Sequence, residues 1–207
     1  ETLSVEISGI PDGAILKSGE TVITVNDGVA DLTPAQLANL TITPPENSSD
    51  DFTLTVTATS TDGTDTATTV GSIPITVTGV ADAPELDVHA ASGDEDSAID
   101  LDISAALSDS DETLTVEISG IPNGATLTAN GVAIAVTAGV ATLTAGQLEA
   151  LAITPPANSS DDFILTVTAT STDGTSTATT EGTIPVTVNA VADTPNMTVS
   201  AASGTED

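Results

Sequence analysis

The sequence predicts an all-β protein built from tandem β-sandwich modules, and three observations lead to this prediction. The chain repeats itself at an interval of 111 residues, because residues 1–96 align with 112–207 without a gap and 64 of these 96 positions are identical. Apolar and polar residues alternate over many short segments, which is the period of a strand with one face in a core. Turn signals such as Asp27-Gly28 and Asp62-Gly63 separate these segments at short intervals, as in sandwich domains.

The clearest strand runs from Phe52 to Thr59, where phenylalanine, leucine, valine and alanine alternate with threonine, and the same pattern recurs from Phe163. These two phenylalanines are the only aromatic residues, so each core is expected to hold one ring among aliphatic side chains. Thr33 followed by Pro34 predicts one helical turn over 33–37, because threonine caps helices and proline suits the first helical position. Further strands are predicted over 3–8, 14–17, 21–25, 29–32, 40–43 and 73–79.

Two short linkers that end in proline divide the chain into modules. Val80-Ala81-Asp82-Ala83-Pro84 and Val191-Ala192-Asp193-Thr194-Pro195 each follow a strong strand pattern, and proline ends a strand ladder. Residues 84–194 therefore form one complete module, 1–83 lack the counterpart of 84–111, and 195–207 begin a third module. We expect the chain to be a piece of a longer protein, because Glu1 stands in the middle of the repeat. Since 195–207 repeat 84–96, the tail of a neighbouring molecule is a candidate to complete the first module.

Charge and composition exclude several classes of function. The chain has 31 acidic residues against one basic residue, a formal net charge of −30, so nucleic acids and anionic membrane surfaces would repel it. It has no cysteine and a single histidine, His89, which excludes disulfides, zinc clusters and Ser-His-Asp triads. Direct membrane insertion is not expected, because no apolar run reaches the length of about 18 residues that spans a bilayer. We predict a protein that is not an enzyme and that suits a bacterial exported protein.

The acidic residues form clusters that no basic residues can neutralise. Two like charges about 4 Å apart repel each other by about 1 kcal/mol in water, so converging carboxylates need a cation. Calcium binds six to eight oxygen atoms, whereas transition metals prefer histidine and cysteine. The sequence therefore predicts calcium, and the candidate clusters are Asp50-Asp51, Asp94-Glu95-Asp96, Asp109-Ser110-Asp111-Glu112, Asp161-Asp162 and the linker residues Asp82 and Asp193. Asp50-Asp51 also suit a solvated loop, and Asp62 and Asp173, which both precede glycine, suit ordinary hairpin turns.

The order and spacing of several segments resemble the tandem repeats of giant bacterial RTX adhesins exported by type I secretion. The segments are Ala91-Ser92-Gly93-Asp94-Glu95-Asp96, Ser108-Asp109-Ser110-Asp111-Glu112, Ile118-Ser119-Gly120-Ile121-Pro122, Ile153-Thr154-Pro155-Pro156 and Val191-Ala192-Asp193-Thr194-Pro195. The chain is more distantly similar to cadherin repeats, through the strand from Phe52 with its Asp62-Gly63 turn and through the acidic linker at Asp82.

These resemblances imply Ig-like or cadherin-like β-sandwich modules in an extended rod on a bacterial cell surface, with adjacent repeats and calcium ions as partners. They imply that Asp109, Asp111 and Glu112 lie in the loop that faces linker Asp82, and that calcium there stiffens the joint. Asp50 and Asp51 would come from the first module and Asp173 from a neighbouring loop. Glu95 and Asp96 would serve this joint or the one near Asp193.

The leading hypothesis is a calcium-stiffened extender repeat of a large bacterial adhesin, which spaces a distal binding domain from the cell for adhesion or biofilm formation. The alternative is a polysaccharide- or ice-binding module, because Thr53, Thr55, Thr57 and Thr59 form a row of hydroxyls. Ile164 interrupts the copy of this row, and the chain lacks the tryptophan and tyrosine that usually bind sugars. A glycosidase that uses Asp50 and Asp51, or their copies, is disfavoured because adjacent carboxylates lack the required separation.

Overall fold

A computed structural model describes residues 1–206, and its regular structure is almost entirely β-strand, as predicted. Asp207, the last residue of the expected third module, lies outside the described residues. The chain divides into two compact units. Unit 1 comprises Glu1–Pro84, Leu107–Leu114 and Thr170–Thr179, and unit 2 comprises Glu85–Ala106, Thr115–Ala169 and Thr180–Asp207.

Residues 1–84 contribute seven strands to unit 1, arranged in two sheets with the orders β4-β1-β6-β7 and β3-β2-β5. The strands β6 and β7 form a long antiparallel hairpin that pairs Phe52 with Ile75 at one end and Asp62 with Asp65 at the other. The seven strands are β1 (Thr2–Ser8), β2 (Ile15–Ser18), β3 (Thr21–Val22), β4 (Val29–Leu32), β5 (Leu40–Thr43), β6 (Phe52–Asp62) and β7 (Asp65–Ile75).

A cluster of buried aliphatic side chains joins the two sheets of unit 1. Ile7 of β1 and Leu54 of β6 come from one sheet, and Leu16 of β2 comes from the other. Burial of such side chains contributes roughly 1.5–3 kcal/mol each. Because both sheets supply this cluster, unit 1 is a β-sandwich.

Eleven more strands follow, and they form a sheet of order β15-β12-β17-β18-β9, a sheet of order β10-β16-β13-β14 and the pair β11-β8. The core of unit 2 includes Ile118, Ile153, Val167 and Ile184, all 0% exposed. The strands are β8 (Glu85–Val88), β9 (Ala91–Asp94), β10 (Ile99–Asp100), β11 (Ile103–Ala106), β12 (Thr113–Ser119), β13 (Thr126–Ala129), β14 (Val132–Ile134), β15 (Ala141–Leu143), β16 (Leu151–Thr154), β17 (Phe163–Asp173) and β18 (Ser176–Asn189).

The predicted helical turn is confirmed as a 3-10 helix over Pro34–Leu37, and a second lies at its copy, Ala145–Gln147. Gln36 Oε1 accepts the Thr33 N–H at 2.9 Å and so caps the first helix. The described part of the chain contains no helix with the length and apolar character needed to cross a membrane.

Two predicted strands, 29–32 and 40–43, have the same bounds in the structure. The strand predicted over 73–79 is wrong in its position, because β7 begins at Asp65 and ends at Ile75. Most of β7 is exposed on both faces, so no alternation of burial marks it in the sequence. Its position is determined by the hydrogen-bond ladder to β6.

Candidate functional site

The linker residue Asp82 is held in unit 1 through its main chain. Its N–H donates to Glu112 Oε1 at 2.6 Å, and its C=O accepts a hydrogen bond from the Ser171 hydroxyl. The preceding N–H, of Ala81, donates to Ser176 Oγ at 3.0 Å. Glu112, Ser171 and Ser176 therefore fix the path of the linker without using the Asp82 carboxylate.

The side chain of Glu112 is buried and only half satisfied. Glu112 is 5% exposed, and its second oxygen, Oε2, is buried without a hydrogen-bond partner among residues 1–206. A buried carboxylate is strongly destabilising unless a positive charge or hydrogen bonds compensate it. The chain has a single basic residue, Lys17, which lies on β2. The unpartnered oxygen therefore indicates a place where a cation would be stabilising.

Asp109 is the second buried carboxylate of unit 1, at 6% exposed. Its Oδ1 accepts the N–H of Asp111 at 2.8 Å, the local turn that aspartate commonly forms two residues ahead. Asp111 itself is exposed. The neighbouring Ser108 C=O accepts a hydrogen bond from Asn47 Nδ2 at 3.3 Å, which ties this loop to the loop after β5.

Asp173 lies directly against the linker. A Cβ at Gly79 would be 1.8 Å from Asp173 Oδ2, so the carboxylate occupies the space that a side chain at position 79 would need. Asp82, Asp109 and Asp173 line one open cleft of about 520 Å³ in unit 1. The structure therefore brings three of the predicted ligands to one cleft, and hydrogen bonding connects a fourth, Glu112, to Asp82.

The carboxylates around this cleft meet the needs of a metal ion in their chemistry but not in their spacing. In residues 1–206, no three His, Cys, Asp or Glu side chains form a group that could hold a metal as they stand. The donor types suit a hard cation, since the cleft offers carboxylate oxygens and neither histidine nor cysteine. Calcium binding would require the carboxylates around the cleft to move closer together, and Glu112 Oε2 is the buried oxygen that lacks any competing contact.

Asp50 and Asp51 are not among the residues that line this cleft. Asp51 Oδ1 accepts the Val77 N–H at 2.8 Å, and its copy Asp162 accepts the Val188 N–H at 2.9 Å. Because the same contact occurs in both repeats, it is a structural feature of the module that holds the chain just before the linker.

In unit 2, the predicted ligands Glu95 and Asp96 also hold main-chain groups. Glu95 is 9% exposed, and its Oε1 accepts the Val191 N–H at 2.7 Å. Asp96 Oδ1 accepts the Asn158 N–H at 2.8 Å. Asp193 is exposed in the segment that follows β18. These contacts show Glu95 and Asp96 stabilising loops, and the calcium role predicted for them stays a prediction.

The serines and the glycine of the site were not predicted from the sequence. Ser171 is 0% exposed and continues the inward row of β17, where a polar residue among apolar ones was the available signal. Gly79 differs from its copy, Ala190, and this difference was the signal for a close approach by another group.

The threonine face of the β6–β7 hairpin forms short hydroxyl rows. The register places Ser4, Thr59 and Thr68 in one row and Ser8, Thr55 and Ser72 in another, but Glu6, Thr57 and Val70 lie between them. In the second repeat, Ile164 is 62% exposed in the equivalent area. The predicted hydroxyl row therefore exists, and a carboxylate and apolar side chains interrupt it.

No protein-family model matches the chain, and no curated protein matches it either. Among solved structures, the chain is similar to the titin domains Z1Z2 in complex with telethonin, at 13% identity and a TM-score of 0.34, over 92% of this chain and 90% of that one. It is also similar to Drosophila N-cadherin EC1-3, at 15% identity and a TM-score of 0.30, over 90% of this chain and 55% of that one.

A third similar structure is an endo-fucoidan hydrolase from glycoside hydrolase family 107, at 18% identity and a TM-score of 0.31. The match covers 93% of this chain and 24% of the hydrolase, so this chain spans about a quarter of that protein's length. The structural neighbours are thus varied in function, and what this chain has in common with them is its all-β architecture.

Proposed function

We propose that this protein is an extender repeat of a large bacterial cell-surface adhesin, and that calcium bound at the cleft of unit 1 stiffens it. The observation that carries this proposal is Glu112, a carboxylate that is 5% exposed and whose Oε2 has no hydrogen-bond partner among residues 1–206. Its other oxygen binds the linker at Asp82, so a cation at Glu112 would act on the linker directly.

The residues that would hold the ion are Glu112, Asp109, Asp173 and Asp82, with Asp111 in the same loop. Calcium would supply positive charge where the chain has none to offer, and its flexible coordination by six to eight oxygens suits loops of this kind. The segments that meet in unit 1 are the linker before Pro84, the loop 107–114 and the hairpin end 170–179. A cation bound to all three would oppose their separation.

The charge of the chain makes this stabilisation conditional on the environment. At a net charge of −30, self-repulsion destabilises the compact state in the absence of bound cations. An extracellular site with a dissociation constant of about 0.1–1 mM would be filled by millimolar calcium. The folded state would then be favoured outside the cell, on the bacterial surface, after export in an unfolded form by type I secretion. Adjacent repeats of the same adhesin are the partners in this proposal, and adhesion or biofilm formation is the role of the whole.

A thermal melt in chelator, in millimolar calcium and in millimolar magnesium tests the calcium proposal. We expect a calcium-selective rise in Tm, since calcium at about 100 times its dissociation constant stabilises the folded state by about 2.7 kcal/mol. The variant Asp109→Asn should remove most of the rise. The matched control Asp12→Asn changes an exposed aspartate outside the cleft and should leave the rise intact. Equal Tm values in chelator and calcium would overturn the proposal.

The second candidate function is binding of a polysaccharide or ice by the threonine face, and the two hydroxyl rows on β1, β6 and β7 are the observation that favours it. An ice-recrystallisation assay and a polysaccharide pull-down test this candidate. Activity that disappears in Thr55→Val and Thr59→Val, with Tm unchanged, would favour it over the extender role.

A further inference from the structure

The second repeat shows what covers the end of its long hairpin. In unit 2, β9 pairs in parallel with the end of β18, with Ala91 opposite Val186 and Asp94 opposite Asn189. The strand before it, β8, lies over Gly182, because a Cβ at that glycine would be 2.7 Å from Val88 Cγ2 and 3.5 Å from Leu86 Cδ2. The side chains beneath this cover are buried: Ile184, Val186 and Val188 are 0%, 1% and 5% exposed.

The same positions of unit 1, 111 residues earlier, are uncovered. β7 is the edge strand of its sheet, and it ends at Ile75, three residues before the position that corresponds to the end of β18. Gly71, the counterpart of Gly182, has nothing within 4 Å of a Cβ built on it. Ile73, the counterpart of the fully buried Ile184, is 47% exposed. An unpaired apolar edge of this kind is a template for another strand.

The tail of the chain has the sequence of the missing cover. Residues 195–206 match residues 84–95 at seven of twelve positions, which are Pro195, Val199, Ala201, Ala202, Ser203, Gly204 and Glu206. None of 195–206 forms a strand. Met197 and Val199, the counterparts of Leu86 and Val88, are 80% and 78% exposed.

A second feature of unit 1 fits the residue just before this tail. Glu112 and Ser171 hold the N–H and the C=O of Asp82, whereas their counterparts Glu1 and Ser60 hydrogen-bond to each other. The counterpart of Asp82 is Asp193. Glu1 and Ser60 are therefore a pair of groups of the type that binds this main chain, and Asp193 directly precedes the tail.

We propose that a second copy of the 207-residue chain inserts its residues 193–206 into the open edge of unit 1. The repeat gives the register: Ala202 of the second copy lies opposite Ile75, and Thr205 lies opposite Thr78. Val199 of the second copy covers Gly71, and Glu206 accepts the N–H of Val80, as Glu95 accepts that of Val191. This is recognition by strand addition, in which main-chain hydrogen bonds supply affinity and the alternate side chains supply specificity.

The geometry of this contact is heterologous, because the tail of one copy meets unit 1 of the next. Such contacts build head-to-tail series rather than closed two-fold dimers. Each copy carries a net charge of −30, so association should strengthen as salt screens the repulsion over a Debye length of about 8 Å at physiological ionic strength.

Sedimentation velocity over a hundredfold range of concentration, in chelator and physiological salt, is the first test. We expect the mean mass to rise with concentration for the unmodified chain. Gly71→Val should keep the chain monomeric, since its side chain has open space in the single copy and would collide with the incoming Val199. Val199→Asp should do the same. The matched control Val132→Asp changes a side chain that is 69% exposed on β14 and should assemble like the unmodified chain.

Disulfide trapping tests the register, and the chain has no cysteine of its own. A mixture of Thr76→Cys chains and Ser203→Cys chains should form cross-linked dimers on mild oxidation, and a mixture of Thr76→Cys and Ala201→Cys chains should form several-fold fewer. A constant monomer mass at every concentration would overturn the proposal, as would assembly that persists in both Gly71→Val and Val199→Asp. A chain with Thr76→Cys and Ser203→Cys together that cross-links internally at monomer mass would show that its own tail fills the edge, which also overturns it.

Discussion

Glu112 and Asp82 are thirty residues apart, and a hydrogen bond of 2.6 Å joins the Glu112 carboxylate to the Asp82 main-chain N–H. Because any residue except proline offers that N–H, this bond does not explain why position 82 is an aspartate. The Asp82 carboxylate instead lines the cleft with Asp109 and Asp173. The pair thus combines a fixed main-chain contact with a carboxylate that is available to a cation.

The substitution Glu112→Gln separates these two roles. Glutamine still accepts the Asp82 N–H but carries no charge, so we expect stability in chelator within about 1 kcal/mol of the original chain. The calcium-induced rise in Tm should fall by more than half, because the buried anionic oxygen is gone. Thermal melts with and without calcium measure both quantities. A full calcium response in this variant would show that Glu112 does not bind the ion.

Gly79→Ala tests the position of Asp173. The added Cβ would lie 1.8 Å from Asp173 Oδ2, and a flexible carboxylate can move away from it at little cost in stability. We therefore expect unfolding free energy within about 0.5 kcal/mol of the original in chelator, and a weaker apparent affinity for calcium by isothermal titration calorimetry. Ala190→Gly, the reciprocal change in the second repeat, is the control and should leave calcium affinity unaltered. Equal effects of the two variants would contradict the role of Asp173.

Asp51→Ala and Asp51→Asn distinguish a structural bond from calcium binding. The alanine variant leaves the Val77 N–H without its acceptor and should lower the free energy of unfolding by about 1 kcal/mol. The asparagine variant keeps an acceptor oxygen and should recover most of that loss. The calcium-induced rise in Tm should be the same in both variants and in the original chain. Its loss in both would show that Asp51 is a calcium ligand, as the acidic pair in the sequence predicts.

Ile184→Ala and Ile73→Ala compare the same residue in the two repeats. Ile184 is 0% exposed and Ile73 is 47% exposed, so the first change should lower the free energy of unfolding by about 2–5 kcal/mol and the second by less than about 1 kcal/mol. Urea unfolding at a concentration where the chain is monomeric measures both. Similar losses would mean that Ile73 is covered in solution, which contradicts the open edge described for unit 1.

Local sequence signals predicted much of the fold for identifiable reasons. The alternation from Phe52 requires only that one strand face be buried, and the Thr33-Pro34 turn requires only neighbouring residues, so both were found. The position of β7 depends on hydrogen bonds to β6, and its threonines show no burial pattern. A strand stabilised by its neighbour rather than by its own periodicity is therefore misplaced when the sequence is considered alone.

The candidate site was predicted in part for a similar reason. The excess of carboxylates over basic residues, which is visible in the sequence, pointed to Asp82, Asp109, Asp173 and Glu112. The sequence did not distinguish these from Asp51 and Asp96, whose oxygens accept main-chain N–H groups. Composition counts charges, whereas the use of each oxygen depends on which distant main-chain groups lie beside it.

By itself, the sequence determined the repeat of 111 residues, the all-β class and the excess of negative charge, because these depend on residue order and composition alone. Only the tertiary structure decided that Glu112 is buried with one free oxygen and that Ile184 is buried while Ile73 is not. Identical residues in the two repeats differ because burial depends on whether another segment covers the sheet, and β8 and β9 do so in only one of them.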